Sequence, residues 1–388
     1  MTAGTTFYAY GVLLKPLSED LGASRFAVGS ALSVFTLTGS LIGPLIGREV
    51  DHRGARGMML IGSVIMSAGF LMLARIEGIA GLYLAFAGVI AIGAALLGPI
   101  TNTALVANWF HRMRGTALGI SQIGLSLSGM MMAYLATWLV TSYGWRGAVL
   151  SFSAVPIIIV VPVIAGIVVN RPQDRGLLPD GAASEADDLP SPPPQQGTLR
   201  EALRERELWL IALLIGLNFT SSGSVIGVVH SHATDLGHSP AEAAGVLSLL
   251  AGMAALGKPL FGSLADRLSA RSAIALSMSL QVSGLVAILL APTYPVILAG
   301  ALTFGLGCGG LIPLFGILTV ARFGAARLGR MMGATMLLML PLQLAGLPFA
   351  TAVFDRTGSY APAFVTFLVL YALAAITLTR VPSGSVEE

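Results

Sequence analysis

The sequence predicts an all-α membrane protein of twelve transmembrane helices in two six-helix halves, and three observations predict it. Hydrophobic residues make up 55% of the chain and charged residues 11%, at a mean hydropathy of +0.82. A soluble globular chain has about a quarter of its residues charged, and no water-soluble fold hides this much apolar surface. The apolar residues gather in runs such as Phe26 to Ile46, Met58 to Ala74, Leu82 to Ala107, Ala148 to Val169 and Tyr360 to Leu378, each near or above the about 18 residues a bilayer crossing takes. A short polar pattern of glycine, aspartate and arginine also recurs after the second and the eighth run, which marks a duplicated unit.

Taken in order, the spans are expected at 3–20, 26–47, 57–75, 81–107, 115–141, 146–169, 207–230, 241–265, 272–291, 294–321, 330–354 and 359–380. The first is short for a crossing at 1.5 Å per residue, so its true start is expected upstream of Met1. A cleavable signal pattern is lacking. Arg48, Arg53, Arg56, Arg112, Arg114, the cluster from Arg171 to Arg206, Arg267, Arg271, Arg322, Arg327, Arg330 and Arg380 share one side of this topology, whereas the other carries Arg25, Arg75, Arg146 and Arg356. The bias places both termini in the cytoplasm, and the expected location is the plasma membrane, or the inner membrane in a bacterium. Residues 1–169 form the first half and 207–388 the second. Residues 170–206 are a cytoplasmic linker, Pro-rich at Pro190 to Pro194, in which Thr198 and Glu201 form a capping box that opens a basic amphipathic helix on the inner surface.

Composition also excludes. One cysteine, Cys308, permits neither a disulfide framework nor a cysteine metal cluster, and five histidines without carboxylates at ligand spacing make a metal site improbable. The pI of about 9.2 reflects topogenic arginines rather than nucleic-acid binding. Gly252 to Lys258 mimics a phosphate loop, but Pro259 stands where Ser or Thr is required. Gly305-x-Gly307-x-x-Gly310 mimics a dinucleotide fingerprint with no strand before it. Those glycines are read as serving close helix packing. No nucleophile, carboxylate pair or cofactor motif speaks for an enzyme.

The repeated loops read Gly47-Arg-Glu-Val-Asp51-His-Arg53-Gly54-Ala-Arg56 and Gly262-Ser-Leu-Ala-Asp266-Arg267-Leu-Ser-Ala-Arg271. An aspartate at a helix end accepts from a neighbouring arginine or a facing helix N-terminus, so Gly47, Asp51, Arg53, Arg56, Gly262, Asp266, Arg267 and Arg271 are read as a cytoplasmic gating latch. Lys258 is a full charge within an apolar run, about 12 Å along the helix from Asp266. A charge there is costly and marks a functional site, and a carboxylate is its natural partner. Lys15, beside Glu19 and Asp20, is explained by snorkelling. Asn102, Gln122 with Ser126, Asn218 with Ser222, and Gln343 are mid-span polar groups that either line a pathway or join helices; the two pairs each share a helix face. His230 and His232 stand at the outer end of span seven, where His230 is a possible proton site.

The duplicated loops resemble the signature loop of the major facilitator superfamily. Tyr10-Gly11-Val-Leu-Leu-Lys15-Pro16-Leu17, the stretch Asn108-Trp109-Phe110 to Ile120, and His230 are similar to its monocarboxylate and oxalate transporter branch. The resemblance implies the major facilitator fold, alternating access and a small organic anion as substrate, with protons or a counter-anion and the lipid bilayer as the other partners. In that branch a basic residue followed by proline in span eight pairs with the substrate carboxylate, which Lys258-Pro259 matches with lysine for the usual arginine. Lysine keeps the charge but loses the bidentate fork. Proton-coupled members carry an aspartate where Ala254 stands and a lysine near Tyr8. By resemblance Tyr8 and Phe304 shape the pocket. Efflux of amphiphilic compounds by the same fold, and a nontransporting membrane receptor or sensor, remain as alternative readings.

Overall fold

In a computed structural model, residues 4–110, 114–178, 199–265, 267–291, 293–324 and 327–381 are described, and they form helices and turns throughout. A π turn, Gly4–Tyr8, leads into α1, Ala9–Asp20. Helix α2 is Arg25–Arg53 and α3 is Ala55–Leu73. Helix α4 is a chain of short pieces, Ile79–Leu82, the π segment Tyr83–Ile90, Ala91–Leu96 and Pro99–Trp109. The stretch Arg114–Val155 breaks at Gly144, where φ is 69°. Helix α5 precedes that break, and α6 follows it through the π turn Pro156–Val160 to Val161–Ile167. Helices α7, Arg206–Asp235, α8, Pro240–Ala265, and α9, Ala270–Leu290, follow. Helix α10 is Tyr294–Gly309 with Leu311–Phe323, α11 is Leu328–Thr357 and α12 is Ala361–Arg380.

Ten stretches among the described residues are long and apolar enough to cross a membrane. One of them, Ile123–Ile167, holds the break at Gly144 and is therefore two spans. The first span, a five-residue π turn followed by a 12-residue helix, is just shorter than a perpendicular crossing takes. The total agrees with the twelve expected.

Helix ends follow local chemistry. Ser24 accepts from the Ala27 N–H at 3.1 Å to start α2, and Ser269 does the same for Ser272 at the start of α9. Ser239 and Glu242 make a reciprocal capping box at α8, with the Ser239 N–H donating to Glu242 Oε2 at 2.8 Å. Helix α11 stops at Gly358 in the left-handed region. In α4 the chain breaks before Pro99, and Thr101 Oγ1 and Asn102 Nδ2 donate to the carbonyls of Leu96 and Leu97 that the break leaves open.

The residues cluster into two compact units, one of Met1–Ser128 and Leu135–Ser191, the other of Gly129–Tyr134 and Pro192–Glu388. In the second, α10 is packed by its glycines. A Cβ on Gly305 would fall 2.3 Å from the Leu250 carbonyl of α8, and one on Gly309 2.6 Å from the Ala254 carbonyl. On the other side, one on Gly307 would fall 2.6 Å from the Ser277 carbonyl of α9. Only residues without side chains let backbones approach this closely.

Thr198 lies outside the described residues, and the helix there is a single turn, Leu199–Ala202, that gives way to an extended Glu205. Glu205 pairs with Arg327 at 2.7 Å, and Glu207 takes Arg322 through both carboxylate oxygens at 2.6 and 2.9 Å. These bonds tie the entrance of α7 to the end of α10 and the start of α11.

Candidate functional site

The two signature loops hold their own halves together. In the first unit the Arg56 guanidinium donates to the Ala165 carbonyl near the end of α6 at 2.6 Å. In the second, Arg271 donates to the Thr379 carbonyl near the end of α12 at 3.0 Å. Each arginine therefore caps the last helix of its half, where the open carbonyls gather partial negative charge. Arg53 pairs with Glu49 at 2.9 Å one helical turn back. The side chain of Asp51, and Asp266 altogether, lie outside the described residues, so the aspartate part of the latch is not placed. Gly47 and Gly262 are half-buried and Arg267 is exposed. Gly54 starts α3 with φ at 80°, a backbone state that suits glycine; the matching position in the second loop is Ser269, which caps α9 through its hydroxyl instead.

Lys258 is half-buried on α8. Its neighbour Gly257 is pressed against α10, where a Cβ would fall 2.3 Å from the Leu306 carbonyl, while Leu256 and Leu260 on the same helix are exposed. Gln343 is half-buried on α11. Phe304 is fully buried, with its backbone against Gly284 of α9, and Tyr8 is buried in the opening π turn. Asn102 is exposed and spends one donor on its own helix. The Gln122 side chain lies outside the described residues. Tyr8, Asn102 and Gln122 belong to the first unit, and Lys258, Asn218, Gln343 and Phe304 to the second. His230 is buried in α7, and His232 is buried with its ring edge-on to Phe364 at 4.9 Å.

Asn218 and Ser222 enter a polar cluster inside the second unit. Ser222 Oγ lies 2.8 Å from the Asn218 carbonyl oxygen, 3.3 Å from Asn218 Oδ1, 2.7 Å from Gln281 Oε1 and 2.9 Å from the Tyr371 hydroxyl. Tyr371 donates to the same Gln281 oxygen at 2.9 Å, and Gln281 Nε2 donates to Ser277 Oγ at 3.2 Å. Ser277 in turn donates to the Gly307 carbonyl at 2.8 Å. All of these side chains are buried, and together they join α7, α9, α10 and α12.

Comparison with known proteins decides what this architecture is. The family model described as Major Facilitator Superfamily matches residues 1–228 and 208–387, nearly the whole chain. The chain belongs to the major facilitator superfamily. As a member it is a multi-pass membrane transporter and not an enzyme. The superfamily member is 28% identical over 373 residues to monocarboxylate transporter 11 of Mus musculus, covering 92% of this chain and 78% of that protein. It is 26% identical over 363 residues to monocarboxylate transporter 13 of Bos taurus, covering 91% and 79%. A bacterial homolog of the human lysosomal transporter Spinster, solved inward-facing and unoccupied, superposes with a TM-score of 0.74 at 16% identity over 98% of this chain and 94% of that one. That likeness shows the fold.

Three features of this major facilitator protein go beyond the sequence reading. Gln281 is a mid-span amide of the same kind as Gln343, and that signal was available. Tyr371 gives no such signal, because a tyrosine in an apolar run reads as packing. The pairs of Glu205 and Glu207 with Arg327 and Arg322 span 122 and 115 residues, a separation across which charge patterning names no partner.

Proposed function

We propose that this transporter carries small organic anions, monocarboxylates or short dicarboxylates, by alternating access, with Lys258 neutralising the substrate carboxylate. The observation that carries the reading is a cation half-buried on α8 one residue beyond the backbone contact with α10. Desolvation works against the charged form of such a lysine unless an anion accompanies it. The names of the monocarboxylate transporters it resembles point the same way. Mid-span amides, Asn218 and Gln343 first among them, orient the anion, and the paired loops around Asp51 and Asp266 gate the cytoplasmic side. Ala254 stands where a proton-carrying aspartate would be in coupled relatives, which leaves anion exchange, facilitated diffusion or proton transfer through His230.

The test is counterflow uptake in proteoliposomes preloaded in turn with lactate, pyruvate, glycolate, oxalate and formate, for wild type, Lys258→Gln and Lys258→Arg. One short acid is expected to drive uptake in wild type. Lys258→Gln should cut it by about tenfold or more, the cost of one charge-assisted contact, and Lys258→Arg should retain part of it. If no acid exchanges, or Lys258→Gln matches wild type, the anion reading fails and efflux of amphiphilic compounds takes its place.

A further inference from the structure

A cavity of about 500 Å³ in the first unit is lined by His52, Arg53, Asn108, Asn170, Arg171 and Asp174, among others. It is a built site. Asn170 accepts the Arg56 N–H on Oδ1 at 2.8 Å and the Asn108 amide on its carbonyl at 3.2 Å, while the Trp109 indole donates to the Val169 carbonyl at 2.8 Å. Gly54 passes so close that a Cβ would fall 2.5 Å from Asn170 Nδ2. Arg171 donates its backbone N–H to Asp174 at 3.1 Å in the turn Pro172–Arg175. The chain after α6 is thus pinned against the ends of α2 and α4, and the cavity stands between them.

Its position and charge name an occupant. Helices α2, α4 and α6 end at Arg53, Trp109 and Ile167, and the lining residues gather around those ends, at the level where an interfacial aromatic such as Trp109 meets the lipid headgroups. The lining holds two arginines and one carboxylate; Glu49 pairs with Arg53 at 2.9 Å, and with Arg56, whose N–H meets Asn170, three cations stand against two carboxylates among these groups. Guanidinium groups and an amide donor suit a phosphate, and Asp174 can accept from a hydroxyl next to it. We propose that this cavity binds the phosphate-ester headgroup of an anionic phospholipid, with Arg53 and Arg171 on the phosphate and Asp174 on a headgroup hydroxyl. The site is separate from the substrate reading and stands or falls without it.

Native mass spectrometry of the full chain with phosphatidylglycerol or phosphatidylcholine tests this. Wild type is expected to retain phosphatidylglycerol and not phosphatidylcholine. Arg171→Gln should weaken retention about fivefold, and Arg53→Gln with Arg171→Gln about 25-fold, from about fivefold per juxtamembrane arginine. Arg204→Gln, an exposed arginine elsewhere on the chain, should not. Both lining arginines are exposed, and a melting curve in phosphatidylcholine checks that the variants are folded. Soluble glycerol phosphate is the second arm: if it binds without lipid and needs the same arginines, the phosphate site stands with a soluble ester as its source. Equal retention by the double variant and wild type, or an equal loss in Arg204→Gln, overturns the proposal.

Discussion

Gln281 bonds to side chains from three other helices, Ser222 of α7, Tyr371 of α12 and, more weakly, the Cys308 thiol of α10 at 3.8 Å. Its oxygen has two lone pairs, and the hydroxyls of Ser222 and Tyr371 stand 2.7 and 2.9 Å from it. Because each hydroxyl carries one proton, Ser222 cannot satisfy all of its neighbours at once, and the amide oxygen is the acceptor that keeps the cluster closed. Tyr371→Phe removes one donor but leaves Ser222 on that oxygen, so it should cost only about 0.6 kcal/mol, typical of one hydrogen bond inside a membrane protein. Gln281→Leu strips the acceptor from both hydroxyls and the donor from Ser277, and should cost about 1–3 kcal/mol. Thermal unfolding in detergent orders the two, and a Tyr371→Phe loss as large as that of Gln281→Leu would show that the amide is not the centre of the cluster. The sequence spacing put Asn218 and Ser222 on one face, yet their partners Gln281 and Tyr371 are 59 and 149 residues from Ser222. A periodicity of four cannot see across that distance.

At the scale of the element, α10 shows why its glycines are needed. Gly305 and Gly309, one turn apart, touch α8, whereas Gly307 touches α9, so one helix presents two small faces and two backbones close on it. Gly305→Ala would bring a methyl to 2.3 Å from a carbonyl oxygen that belongs to backbone and cannot swing away. Gly316, further along α10, has nothing within 4 Å of a built Cβ. The first substitution should therefore lower the melting temperature and the folded yield by size-exclusion chromatography. Gly316→Ala should match wild type or rise slightly, since alanine favours helix. Similar losses from both would mean that the approach of α10 to α8 is not limiting. Here the sequence was legible up to a point: it told glycine for packing from glycine for phosphate because no strand preceded the motif. It did not say which neighbour each glycine meets, since that depends on the crossing of helices far apart in the chain.

The whole molecule carries its duplication in its bonds as well as in its letters. The arginine closing each signature loop reaches a carbonyl 109 residues on in the first half and 108 in the second, which is the same staple built twice. The halves have diverged two residues before: Gly54 takes a positive φ where Ser269 uses its hydroxyl, and each solution starts the following helix. Twelve spans were legible because apolar length alone specifies a crossing. A substrate was not, since Lys258 is the one full charge in the apolar runs that snorkelling or a helix end does not explain. The arginine asymmetry goes further than the fold and predicts which face meets the cytoplasm. In a background with Cys308→Ser, single cysteines at Glu77, exposed in the loop before α4, and at Arg175, exposed in the linker, can be probed on intact cells with a membrane-impermeant maleimide. The positive-inside rule expects Glu77→Cys to label at once and Arg175→Cys only after permeabilisation. The reverse pattern would turn the protein over, and with it the side on which the signature loops could act as a gate.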